Sequence, residues 1–254
     1  WNKNSWSVQL NYAKKIARPS YRDLRSNVQY INRFAYEAGN PYLQPVIRHN
    51  IELNVLCKWL NVSLGYSYRK HDIVYSSGLY RNQEIALIQN RNYPHTQLLY
   101  GSVVVSPKFG WYQPTLEVDL RKPFFPTKRY GSSRDLQEPS ANLELNNKLV
   151  FSRHSFATIL LAYDTEACTD FIKAKSSGTV DLAYSHSFFN ESLSLNVFVN
   201  DLLKTRRSAW TLYGHNVVDT KDCYEFTRSI GLILTWHFNA TRSKYKGTGA
   251  GLDE

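Results

Sequence analysis

Histidine, cysteine and serine are the residue types from which catalysis or metal binding in this chain would have to start. The histidines are spaced neither as His-x-x-x-His nor as Glu-x-x-His, the patterns that bring two zinc-site residues onto one helix face. They are His49, His71, His95, His154, His186, His215 and His237. The cysteines are odd in number and have no metal-like spacing, and no nucleophile-elbow motif surrounds a serine. We therefore predict no catalytic, cofactor-binding or metal-binding residue, no cofactor and no enzyme activity.

The most regular stretch of the sequence runs from Tyr224 to Phe238. Every second residue in it is large and apolar except Arg228, and the residues between are mostly small or polar. A period of two predicts a β-strand with one apolar and one polar face. At fifteen residues it is roughly three times as long as a strand in a soluble sheet. Such a strand suits a barrel that crosses a bilayer, with its apolar face toward lipid and its polar face toward the lumen.

Ten segments in all are predicted as strands. They are 6–12, 51–57, 62–68, 84–106, 112–121, 142–151, 157–163, 180–184, 193–199 and 224–238. We expect a break around Asn90 to Pro94 in the fourth segment, and a late start or a bulge at Pro114 in the fifth, since proline removes a ladder donor.

The connections between these segments alternate in length. Short ones fall at 58–60, 107–111, 152–154 and 189–191, and long ones at 13–46, 76–83, 122–138, 166–177 and about 214–222. Short turns on one side and long loops on the other are typical of outer-membrane barrels, with the long loops extracellular. A soluble β-sandwich also has many alternating strands, but it does not normally segregate its loop lengths in this way.

The composition fits the same class. Aromatic residues make up 14 % of the 254 residues, including 18 tyrosines and 6 tryptophans, as in the interfacial girdles of a membrane barrel. No uncharged apolar run reaches the roughly 18 residues of a transmembrane helix. The chain opens on Trp1 and contains no methionine, so we expect a processed product or a piece of a longer protein.

Three segments carry a family resemblance. Asn11-Tyr-Ala-Lys-Lys-Ile-Ala-Arg-Pro-Ser-Tyr-Arg-Asp-Leu24, followed by Tyr36-Glu-Ala-Gly-Asn-Pro-Tyr-Leu-Gln-Pro45, resembles the barrel of TonB-dependent receptors. Asn200-Asp-Leu-Leu-Lys-Thr205 resembles a motif near the end of such barrels. The tail from Phe238 to Gly251 is similar to the Bacteroidetes outer-membrane β-barrel family.

The resemblance implies an all-β, antiparallel up-and-down transmembrane barrel in the bacterial outer membrane. About ten strands are expected here, as part of a larger 22-stranded barrel, with 1–238 as the C-terminal portion of the barrel and 239–254 as a Gly/Lys-rich tail. The strand at 6–12 should then not close onto the strand at 224–238. The implied function is TonB-dependent uptake of an iron chelate, oligosaccharide or peptide, with no plug domain in this sequence. The alternative is a self-contained passive porin-like channel, and the enzymatic rival is an outer-membrane phospholipase or protease.

The expected partners follow from the same resemblance. They are outer-membrane lipid and lipopolysaccharide, an inner-membrane TonB complex acting through the plug, and an unknown nutrient with or without a surface lipoprotein. The formal charge of +10 comes from scattered basic residues, with Arg206-Arg207 the densest pair of the regular part; we expect no nucleic acid. Those on loops suit lipopolysaccharide phosphates or an anion-attracting lumen.

Two expectations concern individual side chains. Glu117, Asp119 and Arg121 alternate with apolar residues and should line the lumen, although the ligand-binding residues themselves stay unknown. Cys168 and Cys223 fall in or near predicted extracellular loops, where an oxidising envelope permits a disulfide, while Cys57 should stay free. A Cα separation well beyond about 7 Å would exclude the bridge.

Overall fold

The computed structural model describes residues 2–3, 5–81, 84–189, 191–215 and 217–237. These residues form strands with a single short 3-10 helix, η1, at Thr127–Tyr130. The strands are β1 (Asn2–Lys3), β2 (Trp6–Ala17), β3 (Val28–Asn32), β4 (Ala35–Ala38), β5 (Val46–Cys57), β6 (Leu60–Leu79), β7 (Ala86–Val105), β8 (Tyr112–Phe124), β9 (Ser140–Ser152), β10 (Ser155–Asp164), β11 (Ala167–Thr169), β12 (Ile172–Ala174), β13 (Ser177–Phe188), β14 (Leu193–Asn200), β15 (Arg207–Tyr213), β16 (Val218–Tyr224) and β17 (Ser229–Trp236). No helix in these ranges is long and apolar enough to cross a membrane.

Two sheets account for all the strands. The larger is a wall in the order β1-β2-β5-β6-β7-β8-β9-β10-β13-β14-β17, with β3 and β4 attached beside β7. Consecutive wall strands pair antiparallel, and only the short β4 pairs parallel, with β7. The smaller sheet has the order β11-β12-β15-β16 and is built from two of the long connections. We call it the loop sheet.

The wall confirms the predicted up-and-down arrangement, since each of the ten segments contributes one of its long strands. The short connections are confirmed at one end, such as Lys58 and Trp59 between β5 and β6. The long connections carry β3 and β4, η1, β11 and β12, and β15 and β16. The last of them spans 201–228, much more than the predicted 214–222, because two loop-sheet strands lie within it.

The prediction of one strand from Tyr224 to Phe238 is wrong. β16 ends at Tyr224 and β17 begins at Ser229. Between them the Thr227 hydroxyl donates to the Asp201 carboxylate at 2.7 Å, and Phe226 takes a positive φ of 53°. The alternating pattern therefore continues across a link between two different sheets. Phe238 and the predicted tail 239–254 lie outside the described residues.

Two smaller expectations are also wrong. β7 runs unbroken through 90–94 because it pairs with β6 on both sides of that stretch, and only the positive φ of 54° at His71, opposite Pro94, marks the predicted break. β8 passes through Pro114 without a register shift. Pairing with β7 begins only at Leu116, so Pro114 has one neighbouring strand, β9, and removes no bond from a second ladder.

Pairing between neighbours sorts the side chains into rows on two faces. One row joins Leu10, Leu53, Leu64 and Leu120 through paired positions, and these side chains are 71 %, 37 %, 52 % and 52 % exposed. The next row on the opposite face is polar. It consists of Asn54, Ser63, Ser102, Asp119, Asn142 and Asp164. We call these the outer face and the inner face, since an exposed apolar belt is what a wall presents to lipid.

The last wall strand follows the same rule. On β17 the apolar side chains of Leu232 and Leu234 are 66 % and 61 % exposed, so no second sheet covers them, as predicted. In the described part of the chain β17 pairs with β14 and β2 pairs with β1 and β5, and the two ends of the wall do not pair with each other. This agrees with the prediction that the strand at 6–12 does not close onto the last strand.

Candidate ligand-binding cavity under the loop sheet

A small aromatic core holds the loop sheet against the wall. Tyr93 of β7 lies at its centre, with ring centroids 5.3 Å from Phe125, 4.8 Å from Tyr130 and 5.6 Å from Phe171. Phe125 and Phe171 are 3 % and 1 % exposed. Burial of these aromatic rings stabilises the contact between the loop sheet and the wall by about a few kilocalories per mole. The long connections are therefore packed against the wall and are not free loops.

Asp201 anchors the other side of the loop sheet. It occupies the second position of the Asn200-Asp-Leu-Leu-Lys-Thr205 motif and is 1 % exposed. Its carboxylate accepts hydrogen bonds from the amides of Thr205 at 2.8 Å and Arg206 at 3.2 Å, and from the hydroxyl of Thr227. Burial acts to raise the pKa of Asp201, but these donors outweigh it and the pKa is lowered. The motif therefore sets the path by which the chain leaves the wall for β15.

The other motif pair forms a clasp at the β2–β5 connection, built from 18–24 and 39–45. The amide of Asn40 donates to the Asp23 carbonyl, and the Asn40 side chain donates to the carbonyl of Asn90 at 3.1 Å. Asn90 in turn donates to the Asp23 carboxylate at 3.0 Å. A Cβ at Gly39 would lie 2.3 Å from the Arg25 carbonyl oxygen, so this approach requires glycine. The Gly39-Asn-Pro-Tyr42 turn thus ties this connection to β7.

Between the inner face and the loop sheet lies a cavity of about 470 Å³. The wall contributes Asp119, Arg121, Asn142 and Asp164 to it. The chain around the loop sheet contributes Lys175, Arg206, Arg207, Trp210, Glu225 and Thr227. Its size falls within the roughly 300–1,000 Å³ of small-molecule sites, and its lining carries charges of both signs.

Some of these charges are paired and others are not. Asp222 holds the guanidinium of Arg207 at 2.9 Å and the ammonium of Lys175 at 3.5 Å. Arg121 and Asp119 make no ion pair within the described ranges. Asp164 makes none there either, so a ligand entering the cavity meets one guanidinium and two carboxylates on the wall that have no ion-pair partner in the described residues.

A second cavity, of about 490 Å³, continues along the inner face and shares Asp119 and Arg121 with the first. Tyr100 forms part of its lining, and its ring lies over Gly65, where a Cβ would be 2.2 Å from the ring. Arg69 also lines this cavity and sits directly opposite Arg48 in the strand register. The Nε atoms of both arginines are buried without a hydrogen-bond partner in the described part of the chain.

Of the three residues expected in the lumen, the structure brings Asp119 and Arg121 to both cavities. Glu117 lies on the same inner face, paired with Glu144, but lines neither cavity. Sequence reasoning did not single out Arg48, Arg69 or Trp210. The sequence could have placed the two arginines on the inner face, because each alternates with outer-face residues on its strand. Trp210, by contrast, reaches the cavity only through the folding of the loops.

A buried carboxyl group on the wall lies beneath a second carboxyl group in the β11–β12 turn. Asp72, 4 % exposed, accepts a hydrogen bond from Thr96 and lies 3.6 Å from the guanidinium of Arg69. Asp170, in the turn, faces this group. Burial, reinforced by the negative charge of Asp72, raises the pKa of Asp170 to about 6. The turn therefore docks against the wall most favourably when Asp170 is protonated.

The disulfide expected between Cys168 and Cys223 is wrong, and all three cysteines are free. Both loops do meet in one sheet, but Cys168 is on β11 and Cys223 on β16, at its opposite edges. Three strand spacings of about 4.8 Å give roughly 14 Å, twice the reach of a disulfide. The Cys168 thiol instead donates to Glu138 at 2.8 Å, and burial together with Glu138 raises the pKa of Cys168 to about 12.

The histidines are not gathered into a site. No group of three or more histidine, cysteine, aspartate or glutamate side chains within the described ranges is arranged to hold a metal ion. Three of the rings, those of His49, His95 and His186, instead contact neighbouring aromatic side chains on the wall, as His186 does with Phe188 at a ring-centroid separation of 4.2 Å.

Residues 1–236 match the model of the outer membrane protein beta-barrel family. The chain belongs to this family. As a member it is an outer-membrane protein, in agreement with the exposed apolar belt of the wall. No curated protein matches the chain.

Solved structures of siderophore receptors share the fold of this family member. The siderophore receptor PirA of Pseudomonas aeruginosa is 16 % identical, with a TM-score of 0.55 over 79 % of this chain and 37 % of that one. The ferric enterobactin receptor PfeA of the same organism, in complex with BCV-L6, is 13 % identical, with a TM-score of 0.59 over 92 % and 39 %. PirA of Acinetobacter baumannii is 14 % identical, with a TM-score of 0.55 over 93 % and 39 %. The chain thus spans under two-fifths of the length of these receptors.

Proposed function

We propose that this chain is part of the wall of a TonB-dependent outer-membrane receptor that takes up a nutrient, namely an iron chelate, an oligosaccharide or a peptide. The observation that carries the proposal is the cavity of about 470 Å³ enclosed between the inner face and the loop sheet. A ligand caught there contacts the wall through Arg121 and Asp119 and the loop sheet through Trp210 and Arg206.

The remaining parts of the proposal rest on the family. A 22-stranded barrel, its plug and the contact with TonB would come from parts of the protein outside this sequence, which is consistent with the share of the siderophore receptors that the chain spans. A Bacteroidetes source and a surface lipoprotein partner belong to the same proposal. The wall itself binds and performs no bond-making step.

The test is growth on a limiting nutrient of a strain lacking the gene, complemented by the full-length gene or by its variants. The nutrients are an iron chelate, an oligosaccharide and a peptide, each offered as the sole source. The site variant is Arg121→Glu, which reverses the wall's cationic charge in the cavity. Its matched control is Arg153→Glu, on the exposed turn between β9 and β10.

We expect complemented growth on one nutrient class, lost when the inner membrane is de-energised. Arg121→Glu should raise the nutrient concentration for half-maximal growth about tenfold, the usual effect of one charge-assisted contact, and Arg153→Glu should leave it unchanged. Uptake that persists without an energised inner membrane would favour the porin-like alternative. Equal effects of the two variants would show that the nutrient does not bind in the cavity.

A further inference from the structure

The outer face carries its charge at one end only. Among the described outer-face positions of the wall strands, counted on β6 and β7 as far as the Lys70–His95 pair, no carboxylate occurs, and three lysines are the charged residues. They are Lys14, Lys70 and Lys122, all near the end of the wall that carries the long connections. Lys122 already has a hydrogen-bond partner, since its ammonium donates to the carbonyl of Gln137. Beyond the Lys70–His95 pair the same alternation includes Asp72 and Arg91, but the Asp72 carboxylate is 4 % exposed and contacts Arg69 and Thr96.

Lys14 and Lys70 are both exposed and stand beside histidines. Lys14 pairs with His49 across β2 and β5, and Lys70 pairs with His95 across β6 and β7. Neither lysine makes an ion pair in the described part of the chain. Two free cations, with the nearest carboxylate of the alternation buried against Arg69, produce an unbalanced positive field.

Four rings run between the lysines. Ring centroids are separated by 6.2 Å from Tyr12 to His49, 6.3 Å from His49 to Tyr68 and 5.8 Å from Tyr68 to His95. The Tyr12 hydroxyl also lies 2.8 Å from Nδ1 of His49. We call the two lysines and these four rings the lysine–ring patch. Each ring offers an apolar edge to lipid and a polar atom to a headgroup.

The height of the patch matches the border of the membrane. Lys70 lies ten residues along β6 from Leu60, whose neighbour Trp59 is in a short turn. At about 3.3 Å per residue and a strand tilt of about 40°, these ten residues rise roughly 25 Å, the height of the apolar band of an outer-membrane barrel. Lys70 is therefore at headgroup level on the long-loop side.

We propose that the lysine–ring patch binds the phosphate groups of a phosphorylated glycolipid headgroup in the outer leaflet, as carried by lipopolysaccharide. The two ammonium groups neutralise phosphate, the histidine and tyrosine polar atoms contact the sugar, and the acyl chains lie on the leucine belt below. The inference rests on the outer-membrane location and on the register of the wall, and not on nutrient uptake.

The experiment titrates lipid A, with both phosphates present, into the full-length protein in an uncharged detergent. The comparison lipid is the same molecule with both phosphates removed, and inorganic phosphate is the competitor that distinguishes lipid from free anion. The variant is Lys14→Gln combined with Lys70→Gln. The matched control is Lys15→Gln, the next residue of β2, which lies on the inner face.

A surface lysine contributes about fivefold to anionic lipid binding, so we expect the double variant to bind phosphorylated lipid A about 25-fold more weakly. Lys15→Gln should bind like the native protein, and the dephosphorylated lipid should bind all three proteins as weakly as the double variant binds lipid A. Heat-modifiable migration in gels reports that each barrel is folded. Equal binding of the two lipids, an equal loss in Lys15→Gln, displacement by inorganic phosphate alone, or capture of a protein by the patch in place of lipid would each overturn the proposal.

Discussion

Replacing Asp201 by alanine should open the loop sheet while leaving the wall folded. The change removes the acceptor of three hydrogen bonds, from the amides of Thr205 and Arg206 and from the hydroxyl of Thr227. The residue also has a positive φ of 47°, a conformation that aspartate tolerates better than alanine does. The wall does not depend on these bonds, because its strands pair with each other.

The size of the effect follows from these contacts. An orphaned buried donor costs about 1–3 kcal/mol, and the lower value applies to the two amides, whose residues are exposed to water. Adding about 1 kcal/mol for the Thr227 hydroxyl and about 1 kcal/mol for the backbone conformation gives a total of roughly 4 kcal/mol against the closed loop sheet. The open population should therefore rise about a thousandfold.

The assay is limited trypsin digestion of the folded protein in detergent, followed at the Arg206–Arg207 bonds. Asp201→Asn keeps one acceptor oxygen and should fall between the native protein and the alanine variant. Because the pKa of Asp201 is lowered in the folded state, its stabilising effect is present above the ordinary carboxyl pKa and is lost as the pH falls through the lowered one. Opening of the loop sheet should thus become more frequent in acid in the native protein and not in the alanine variant; because trypsin is inactive at that pH, this arm is followed by pepsin cleavage.

The control is Asp222→Ala, which removes an exposed carboxylate from the same sheet with its two ion pairs. Exposed ion pairs contribute little, so its cleavage rate should stay close to the native one. Native-like cleavage of Asp201→Ala, or equally fast cleavage of both variants, would refute the anchoring role.

Three further outcomes follow from the fold. Leu64→Arg on the outer face should destabilise the barrel by about 2–4 kcal/mol in urea unfolding from lipid vesicles, while Ser63→Arg on the inner face should not; equal effects would contradict the facing of the wall. Gly39→Ala should speed hydrogen exchange in 18–45, because its Cβ would meet the Arg25 carbonyl, and unchanged exchange would mean that the clasp adapts. Since the pKa of Asp170 is raised to about 6, docking of the β11–β12 turn should weaken as the pH rises from about 4 through 6; proteolysis should show this dependence in the native protein and lose it in Asp170→Asn.

The sequence by itself determined the wall. The period of two along each strand separates lipid-facing from lumen-facing residues, and a bilayer requires this alternation at every position, so it is legible without any tertiary contact. The same local signal placed Asp119 and Arg121 on the inner face before their neighbours were known. The interruptions of the same alternation located the short turns, since the end of a strand is also a local feature of the sequence.

Tertiary structure alone decided what the long connections do. The loop sheet pairs strands about 40 residues apart, β12 with β15, and this pairing depends on aromatic burial around Tyr93. No periodicity along the chain encodes such a contact. That is why Tyr224 and Ser229, which appear in sequence to share one strand, belong to two sheets, with the buried Asp201 carboxylate holding the link between them. The cavity exists only because this sheet folds back over the inner face, so Trp210 and Arg206 could not be assigned to it from their neighbours in sequence.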